Sequence, residues 1–184
     1  MKITLITGGA RSGKSRLAQE LARKSGGAVL FVATAEAGDE EMKQRIEAHR
    51  KGRPPGWVTL EVTTHIGSQI TRNIGQARTV IIDCITLLIN NVFEEHDKKT
   101  DASLLEKAVT AEIKELLDGI DHSDANFIIV TNEVGLGIIP ADRVSRLYRD
   151  LLGKANQMLA EHADEVYLMV AGIPVAVKKL NGII

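Results

Sequence analysis

A short strand followed by a glycine-rich turn constrains this chain more than any other stretch. Residues 3–7 read Ile-Thr-Leu-Ile-Thr, and the turn after them spans Gly8 to Gly13 and runs into Lys14 and Ser15. The spacing Gly-x4-Gly-Lys-Ser is the P-loop pattern. Its glycines let successive backbone N–H groups point at one anion, and the helix that follows directs its positive end at the same place. The pattern predicts a polyphosphate site; the alternative is an ordinary glycine-rich turn.

Three side chains are candidates for the remaining contacts of a nucleoside triphosphate. Lys14 can reach the β and γ phosphate oxygens, and the Ser15 hydroxyl can ligate Mg²⁺. Asp83 ends the apolar run 79–82, which is the pattern of the acid that holds Mg²⁺ directly or through water. An acid at the end of a strand is unremarkable alone, but a P-loop upstream makes it informative. Ser15 and Asp83 are therefore the candidate metal ligands.

Length and composition restrict the class of protein. The 184 residues favour one domain, and a net charge of −1 gives no electrostatic reason to expect nucleic acid or an anionic membrane as partner. The single cysteine, Cys84, excludes an internal disulfide framework and fits a reducing compartment. No signal peptide is evident, and the most apolar run, 80–89, is too short to span a bilayer. We expect a cytoplasmic protein without an integral membrane segment.

Apolar runs alternate with amphipathic segments along the whole chain. Continuous apolar runs, typical of strands buried on both faces of a parallel sheet, occupy 28–33, 79–83 and 126–131. Further strands are predicted at 57–62, and at 165–170 and 175–177 as a hairpin. Helices are predicted at 15–24, 39–50, 65–76, 86–93, 104–117 and 141–162, with a mobile loop over 94–103. The pattern indicates a single doubly wound, mostly parallel α/β domain over 1–184.

One predicted helix carries a histidine among arginines. The helix begins at an N-cap, Asp39, and His49 near its end is flanked by Arg45, Arg50 and Arg53. Near such charges an imidazole tends to stay neutral, and its free lone pair can attack phosphorus. A surface or core histidine is the alternative, and the residues alone leave both open.

The long helix predicted near the C-terminal end has an unusual polar face. Arg146, Arg149, Gly153 and Asn156 follow one another at i, i+3, i+7 and i+10. A mid-helix glycine costs about 1 kcal/mol relative to alanine, which suggests close approach of another backbone or a ligand. The alternative is a solvated face with an ion pair between Arg146 and Asp150. Both interpretations stay open.

Seven blocks of sequence together carry a more specific signal than the P-loop. They are Gly8 to Ser15; Ala33-Thr34-Ala35; Glu40-Glu41-Met42 with Arg45-Ile46 and His49-Arg50; Gly52-Arg53-Pro54 with Trp57 and Glu61; Asp83-Cys84-Ile85-Thr86-Leu87; Thr131-Asn132-Glu133-Val134-Gly135 with Gly137-Ile138 and Pro140; and Arg149-Asp150 with Gly153 and Asn156-Gln157. In this order they resemble the bifunctional adenosylcobinamide kinase/adenosylcobinamide-phosphate guanylyltransferase family of cobalamin biosynthesis. The resemblance covers nearly the whole chain.

The resemblance implies a RecA-like P-loop fold and a two-step transferase. ATP or GTP phosphorylates the aminopropanol hydroxyl of adenosylcobinamide. GMP from a second GTP then passes through a histidine to adenosylcobinamide phosphate, which gives adenosylcobinamide-GDP. It also implies Mg²⁺ with the nucleotide and a homo-oligomer, with a trimer the expected form.

By position, the resemblance implies that His49 is the guanylylated residue. The nucleotide contacts that it implies are Gly8, Gly9, Ala10, Arg11, Ser12, Gly13, Lys14, Ser15, Ala33, Thr34, Ala35, Arg50, Lys51, Gly52, Arg53, Glu61 and Asp83. Two other functions remain possible from the residues: a plain P-loop kinase of a small hydroxylated substrate, in which His49 is structural, and a nucleotide-binding module without turnover.

Overall fold

The computed structural model describes residues 1–36, 40–97, 100–179 and 182–183, without the side chains of 41, 42, 45, 48, 49, 51, 182 and 183. The predicted N-cap Asp39 and the side chains of His49 and Lys51 lie outside this described part. The helices are α1 Lys14–Ser25, α2 Glu40–Lys51, α3 Ile66–Asn73, α4 Ile85–Glu94, α5 Ala102–Asp121 and α6 Arg143–His162. The strands are β1 Ile3–Gly8, β2 Val29–Ala33, β3 Val58–Glu61, β4 Thr79–Asp83, β5 Asn126–Val130, β6 Glu165–Val170, β7 Ile173–Lys179 and β8 Gly182–Ile183.

The strands form one eight-stranded sheet in the order β3-β2-β4-β5-β1-β6-β7-β8. Strands β1 to β6 are parallel, and β7 and β8 add to the β6 edge in antiparallel orientation. The prediction of a mostly parallel α/β sheet with a C-terminal hairpin is confirmed. Among the described helices, none has both the length and the apolar character needed to cross a membrane.

The continuous apolar strands are buried because helices cover both faces of the sheet. Side chains on one face, such as Leu30, Val80 and Phe127, pack with α3, α4, α5 and α6. On the other face, Phe31 and Ile81 pack against Ala18 and Ala22 of α1. All five residues of β2 are buried, as expected for a strand between two layers.

Two predicted boundaries and one core residue differ from the structure. Helix α5 begins at Ala102, inside the predicted loop 94–103, because the Asp101 carboxylate accepts a hydrogen bond from Ser103 N at 3.4 Å and caps the helix. Strand β7 is longer than predicted, and β8 was not predicted. The helical spacing of Val144 with Leu147 and Leu151 predicts a core position, but Val144 is 49% exposed in the first turn of α6.

Helix α3 has its N-terminal end capped from a distant helix. Glu112 of α5 accepts hydrogen bonds from the backbone N–H groups of His65 and Ile66, both at 2.9 Å. Glu115 accepts from Ser68 N at 3.0 Å and pairs with the His65 ring, and this hydrogen bond raises the pKa of His65. The carboxylates thus satisfy amides that a helix end leaves unpaired.

Two glycines allow α3 and α5 to pack this closely. A Cβ atom on Gly67 would lie 2.2 Å from the backbone oxygen of Glu115, and one on Gly119 would lie 3.0 Å from the oxygen of Gly67. Real Cβ atoms do not approach backbone at such distances, so a side chain at Gly67 would push the two helices apart.

Gly67→Ala should therefore lower the free energy of unfolding by about 1–3 kcal/mol, through overpacking. The matched control is Gly153→Ala in α6, where an added Cβ meets nothing within 4 Å. That change should stabilise the protein by up to about 1 kcal/mol, because alanine favours a helix over glycine. Urea unfolding of both variants measures the difference. Equal stability of the two would contradict the packing argument.

Candidate nucleotide site

A cleft of about 660 Å³ opens at the carboxyl edge of the sheet, where ligands bind in open α/β folds. Its walls come from the P-loop, the first turn of α1, the ends of β2, β3, β4 and β5, and α2. The residues that line it are Ala10, Arg11, Ser12, Gly13, Lys14, Ser15, Arg16, Phe31, Ala33, Ala35, Ile46, Arg53, Glu61, Asp83, Cys84, Leu87, Val130 and Asn132.

The P-loop has the tight backbone that its sequence predicts. Arg11 and Gly13 have φ of 56° and 96°, in the left-handed region that glycine adopts without strain. Lys14 is 8% exposed, and its Nζ donates hydrogen bonds to Gly8 O at 3.0 Å and Gly9 O at 2.7 Å. The lysine charge is thus held at the mouth of the loop, close to the amides that begin α1.

Asp83 offers an unsatisfied oxygen inside this cleft. Its Oδ2 is buried and has no hydrogen-bond partner among the described residues, and the same holds for the Ser12 hydroxyl. Hard divalent cations prefer carboxylate and hydroxyl oxygens as ligands. Ser15 and Asp83 line one cleft, so the oxygens present fit the Mg²⁺ that commonly accompanies a bound triphosphate.

Cys84 follows this acid in sequence, and its thiol is buried. Burial, and then the negative charge of Asp83, raise the pKa of its thiol to about 11. A thiol with such a pKa stays protonated near neutral pH and reacts slowly. Cys84 is 8% exposed and packs in the core cluster with Ile81 and Leu87, which agrees with a structural role.

Two arginines from the region of α2 have different surroundings. The Arg53 guanidinium lies 4.0 Å from the Phe31 ring centroid, and its Nη1 donates to Thr59 Oγ1 at 3.2 Å. Burial lowers the pKa of Arg53, although Asp83 and Glu61 act in the opposite direction. Arg50 instead forms an exposed pair with Glu61, its Nε donating at 2.9 Å. Of these two arginines, Arg53 is the one that lines the cleft, together with Arg11 and Arg16 of the P-loop region.

The residues that the resemblance assigns to the nucleotide divide into three groups. Those lining the cleft are Ala10, Arg11, Ser12, Gly13, Lys14, Ser15, Ala33, Ala35, Arg53, Glu61 and Asp83. Gly8, Gly9, Thr34, Arg50 and Gly52 adjoin this lining without belonging to it. His49 lies in α2 one turn after Ile46, which lines the cleft, but its side chain and that of Lys51 lie outside the described residues.

Thr34 is fully buried and serves as a brace. Its hydroxyl donates to Cys84 O at 2.7 Å and accepts from Cys84 N at 2.8 Å. Asn91 of α4 then donates to the backbone oxygens of Thr34 and Thr63, both at 2.9 Å. These bonds join the carboxyl ends of β2 and β4 to α4, so the cleft has a rigid wall on that side.

Asn132 is a cleft residue that the pattern analysis did not single out. Its backbone N donates to Thr86 Oγ1 at 2.8 Å, and its backbone oxygen accepts from Asn156 Nδ2 at 3.1 Å. The Asn156 side chain also accepts from Thr131 Oγ1 at 2.7 Å. A polar residue directly after a buried strand was the available signal, since that position lies at the ligand-binding edge.

The structure shows what the residues on the polar face of α6 contact. Asn156 points at the end of β5, whereas an added Cβ at Gly153 would meet nothing within 4 Å, so no close approach explains this glycine. Arg149, not Arg146, lies 3.5 Å from Asp150, and Arg146 donates to Pro140 O at 3.0 Å. Two of the four residues on this face, Arg146 and Asn156, donate hydrogen bonds to neighbouring backbone.

Comparison with known proteins gives one consistent family. Residues 4–177 match the profile of the CobU family, described as cobinamide kinase / cobinamide phosphate guanyltransferase. The chain is 42% identical over 179 residues to the bifunctional adenosylcobalamin biosynthesis protein CobU of Escherichia coli, which covers 95% of this chain and 98% of that protein. It is 40% identical over 174 residues to the similarly named CobP of Pseudomonas aeruginosa, covering 95% and 96%.

A solved structure of low sequence identity has a similar fold. The crystal structure of the RadB recombinase superposes with a TM-score of 0.51 at 15% identity, covering 91% of this chain and 73% of that one. At this identity the likeness concerns the fold alone, and it supports the RecA-like P-loop architecture.

Asp83→Asn should weaken Mg²⁺-dependent nucleotide binding, because the neutral amide is a poorer ligand for Mg²⁺ than the carboxylate. We expect the Mg²⁺ concentration for half-maximal binding of a fluorescent GTP analogue to rise at least about tenfold. Glu61→Gln is the control, because that carboxylate already pairs with Arg50 and should leave the Mg²⁺ requirement near wild type. An unchanged requirement in Asp83→Asn would remove Asp83 from the metal site.

Proposed function

Because the chain belongs to the cobinamide kinase / cobinamide phosphate guanyltransferase family, we propose that it is a transferase that catalyses both reactions in one cleft. The observation that carries this proposal is that the P-loop, Asp83 and helix α2 border one cavity. A triphosphate anchored at the P-loop can then be attacked at either of two phosphorus atoms. The nucleophile decides which bond breaks.

In the kinase reaction the acceptor is the aminopropanol hydroxyl of adenosylcobinamide. Its oxygen attacks the γ phosphorus of ATP or GTP, the bond to the β-phosphate oxygen breaks, and the hydroxyl proton is lost to solvent or to a nearby base. Lys14 and the amides of the P-loop hold the β and γ phosphates and stabilise the charge that develops there. The product is adenosylcobinamide phosphate.

In the guanylyl transfer, a nitrogen of His49 attacks the α phosphorus of GTP and pyrophosphate leaves. The phosphate oxygen of adenosylcobinamide phosphate next attacks that phosphorus, the P–N bond breaks, and neutral histidine is restored. A phosphoramidate keeps the transfer potential of the anhydride, so the covalent step divides one difficult displacement into two reversible ones. Arg53, which is partly buried beside Asp83 and Glu61, would offset phosphate charge.

Three further properties belong to the same proposal. Mg²⁺, held by Ser15 and Asp83, would screen the phosphates when it is bound with the nucleotide. The protein acts in the cytoplasm, which agrees with a single buried cysteine. It assembles as a homo-oligomer, with a trimer expected; exposed apolar residues such as Leu136, Ile138 and Ile173 supply surface for such contacts.

Incubation with GTP labelled at the α phosphate should leave label on the protein that is stable to base and labile to acid. His49→Ala should abolish the label, because the resemblance assigns the covalent step to His49 and none of the histidines with described side chains lines the cleft. His162→Ala, on the exposed end of α6, is the matched control and should label like wild type. Autoradiography after denaturing electrophoresis measures both.

Two results would contradict parts of this proposal. Persistent label in His49→Ala would assign the nucleophile to another residue. Transfer of γ-phosphate to adenosylcobinamide without any GMP-enzyme would leave a plain kinase, and inactivity in both assays would leave a binding module.

A further inference from the structure

A second cavity, of about 510 Å³, lies between α4, α5 and α6 and shares no lining residue with the nucleotide cleft. It is formed where the C-terminal half of α4 meets the first turns of α5 and α6. Phe93 and Tyr148 form an aromatic wall, with ring centroids 5.5 Å apart and planes at 76°. Asn90, Glu94, Arg143 and Ser145 supply its polar groups.

This cavity and the nucleotide cleft share one face of α4. Leu87 lines the cleft, whereas Asn90 and Glu94 line the second cavity. Positions i, i+3 and i+7 lie on one side of a helix, so the three side chains form a continuous row. At 1.5 Å per residue, the row spans about 10 Å along the helix axis.

A hydrogen-bond chain also links the two cavities. The Tyr148 hydroxyl donates to Thr86 O at 2.8 Å, and the Thr86 hydroxyl accepts from the backbone N of Asn132, which lines the cleft. The first turn of α4 and this chain thus lie beside both spaces. A molecule seated against Phe93 and Tyr148 would need an arm of about 10 Å along α4 to reach the nucleotide cleft.

The lining of the second cavity suits a flat apolar ring that carries carboxamide groups. The aromatic wall offers apolar surface, and Glu94 Oε1 already accepts an amide hydrogen bond from Asn90 Nδ2 at 2.7 Å. A ligand carboxamide can donate to that same carboxylate and accept from the Arg143 guanidinium. Among the described residues, Arg143 forms no ion pair that would compete with a ligand for its guanidinium.

We propose that this cavity binds the corrin ring of the acceptor substrate, with its aminopropanol arm running along α4 into the nucleotide cleft. The inference rests on the proposed function, because it takes the acceptor to be a cobinamide. The cavity is smaller than a whole corrinoid, so it seats one edge of the ring with the carboxamides there. The partly exposed Val144 lies at this position and contacts the seated edge.

Val144→Trp tests this placement, since the added ring fills the cavity from an exposed position. Because the added ring occupies the space of the ligand, we expect the Kd of adenosylcobinamide to rise at least about tenfold. Equilibrium dialysis without nucleotide measures this Kd. Leu104→Trp is the matched control: Leu104 is 55% exposed in the first turn of α5 but does not line the cavity. It should bind corrinoid like wild type.

A second variant keeps the test independent of the tryptophan. Glu94→Lys retains a good helix former at an exposed position and removes the carboxamide acceptor, so it should weaken corrinoid binding in the same direction. Circular dichroism establishes that each variant is folded. Labelling by α-phosphate-labelled GTP alone should stay at the wild-type level in all of them, because that step needs no corrinoid.

The outcomes separate this inference from the proposed function. A corrinoid Kd within about twofold of wild type in both Val144→Trp and Glu94→Lys overturns the corrinoid site, even if GTP labelling is normal. An altered sedimentation coefficient with unchanged corrinoid binding would make the cavity a contact between copies of this chain, and also overturns it. Absent GTP labelling in every variant and in wild type contradicts the guanylyl transfer, while dialysis still decides the cavity.

Discussion

Gly8, at the end of β1, lies so close to β6 that a Cβ atom there would be 2.7 Å from Met169 O. On the other side of β1, Glu133 N donates to Gly8 O at 3.1 Å. The strand end is therefore enclosed by backbone on both edges, and only glycine fits. The P-loop leaves the sheet from this enclosed point, and the place of Lys14 and of the first amides of α1 follows from it. The nucleotide cleft depends on this one contact.

The loops around the cleft are held by polar side chains that bond to backbone. Thr34 and Asn91 join β2 and β4 to α4, and Asn156 joins β5 to α6. These groups are buried or partly buried, where a hydrogen bond to backbone is strengthened by the low local dielectric. Such braces limit the positions that Asp83 and Asn132 can adopt. A cleft built this way can hold reacting phosphates with little reorganisation, which is the main source of electrostatic catalysis.

Local patterns in the sequence predicted the fold well and its long-range contacts poorly. The P-loop and the buried strands were visible because their signals lie within a few consecutive residues. The caps on α3 from Glu112 and Glu115 were not, since the partners lie more than forty positions apart in sequence. Helical spacing likewise predicts a core position for Val144, because spacing alone does not show whether another element covers that turn of the helix.

For the candidate site too, residues with a local sequence signal could be predicted, and contacts between distant residues could not. The P-loop and Asp83 could be placed from strand ends alone, and the structure locates them on one cleft. The pairing of Arg50 with Glu61 could not, because it depends on β3 lying beside α2 in space. The role of His49 came from the resemblance and remains a prediction. Asn132 was visible only as part of a family block, without a physical reason until its backbone bonds were known.

The place of β1 in the middle of the sheet has a consequence for how the chain folds. β1 pairs with β5 and β6, and Ile3 N bonds to Asp164 Oδ2 across 161 positions of sequence. The P-loop is far from β6 in sequence, yet its backbone is enclosed only when β6 and the turn at Gly172 pack beside it, with Gly172 N donating to Ser12 O at 3.0 Å. Such non-local pairing slows folding. A complete P-loop therefore requires β6 and the turn at Gly172 to be in place, and a nucleotide that binds only this folded arrangement stabilises it.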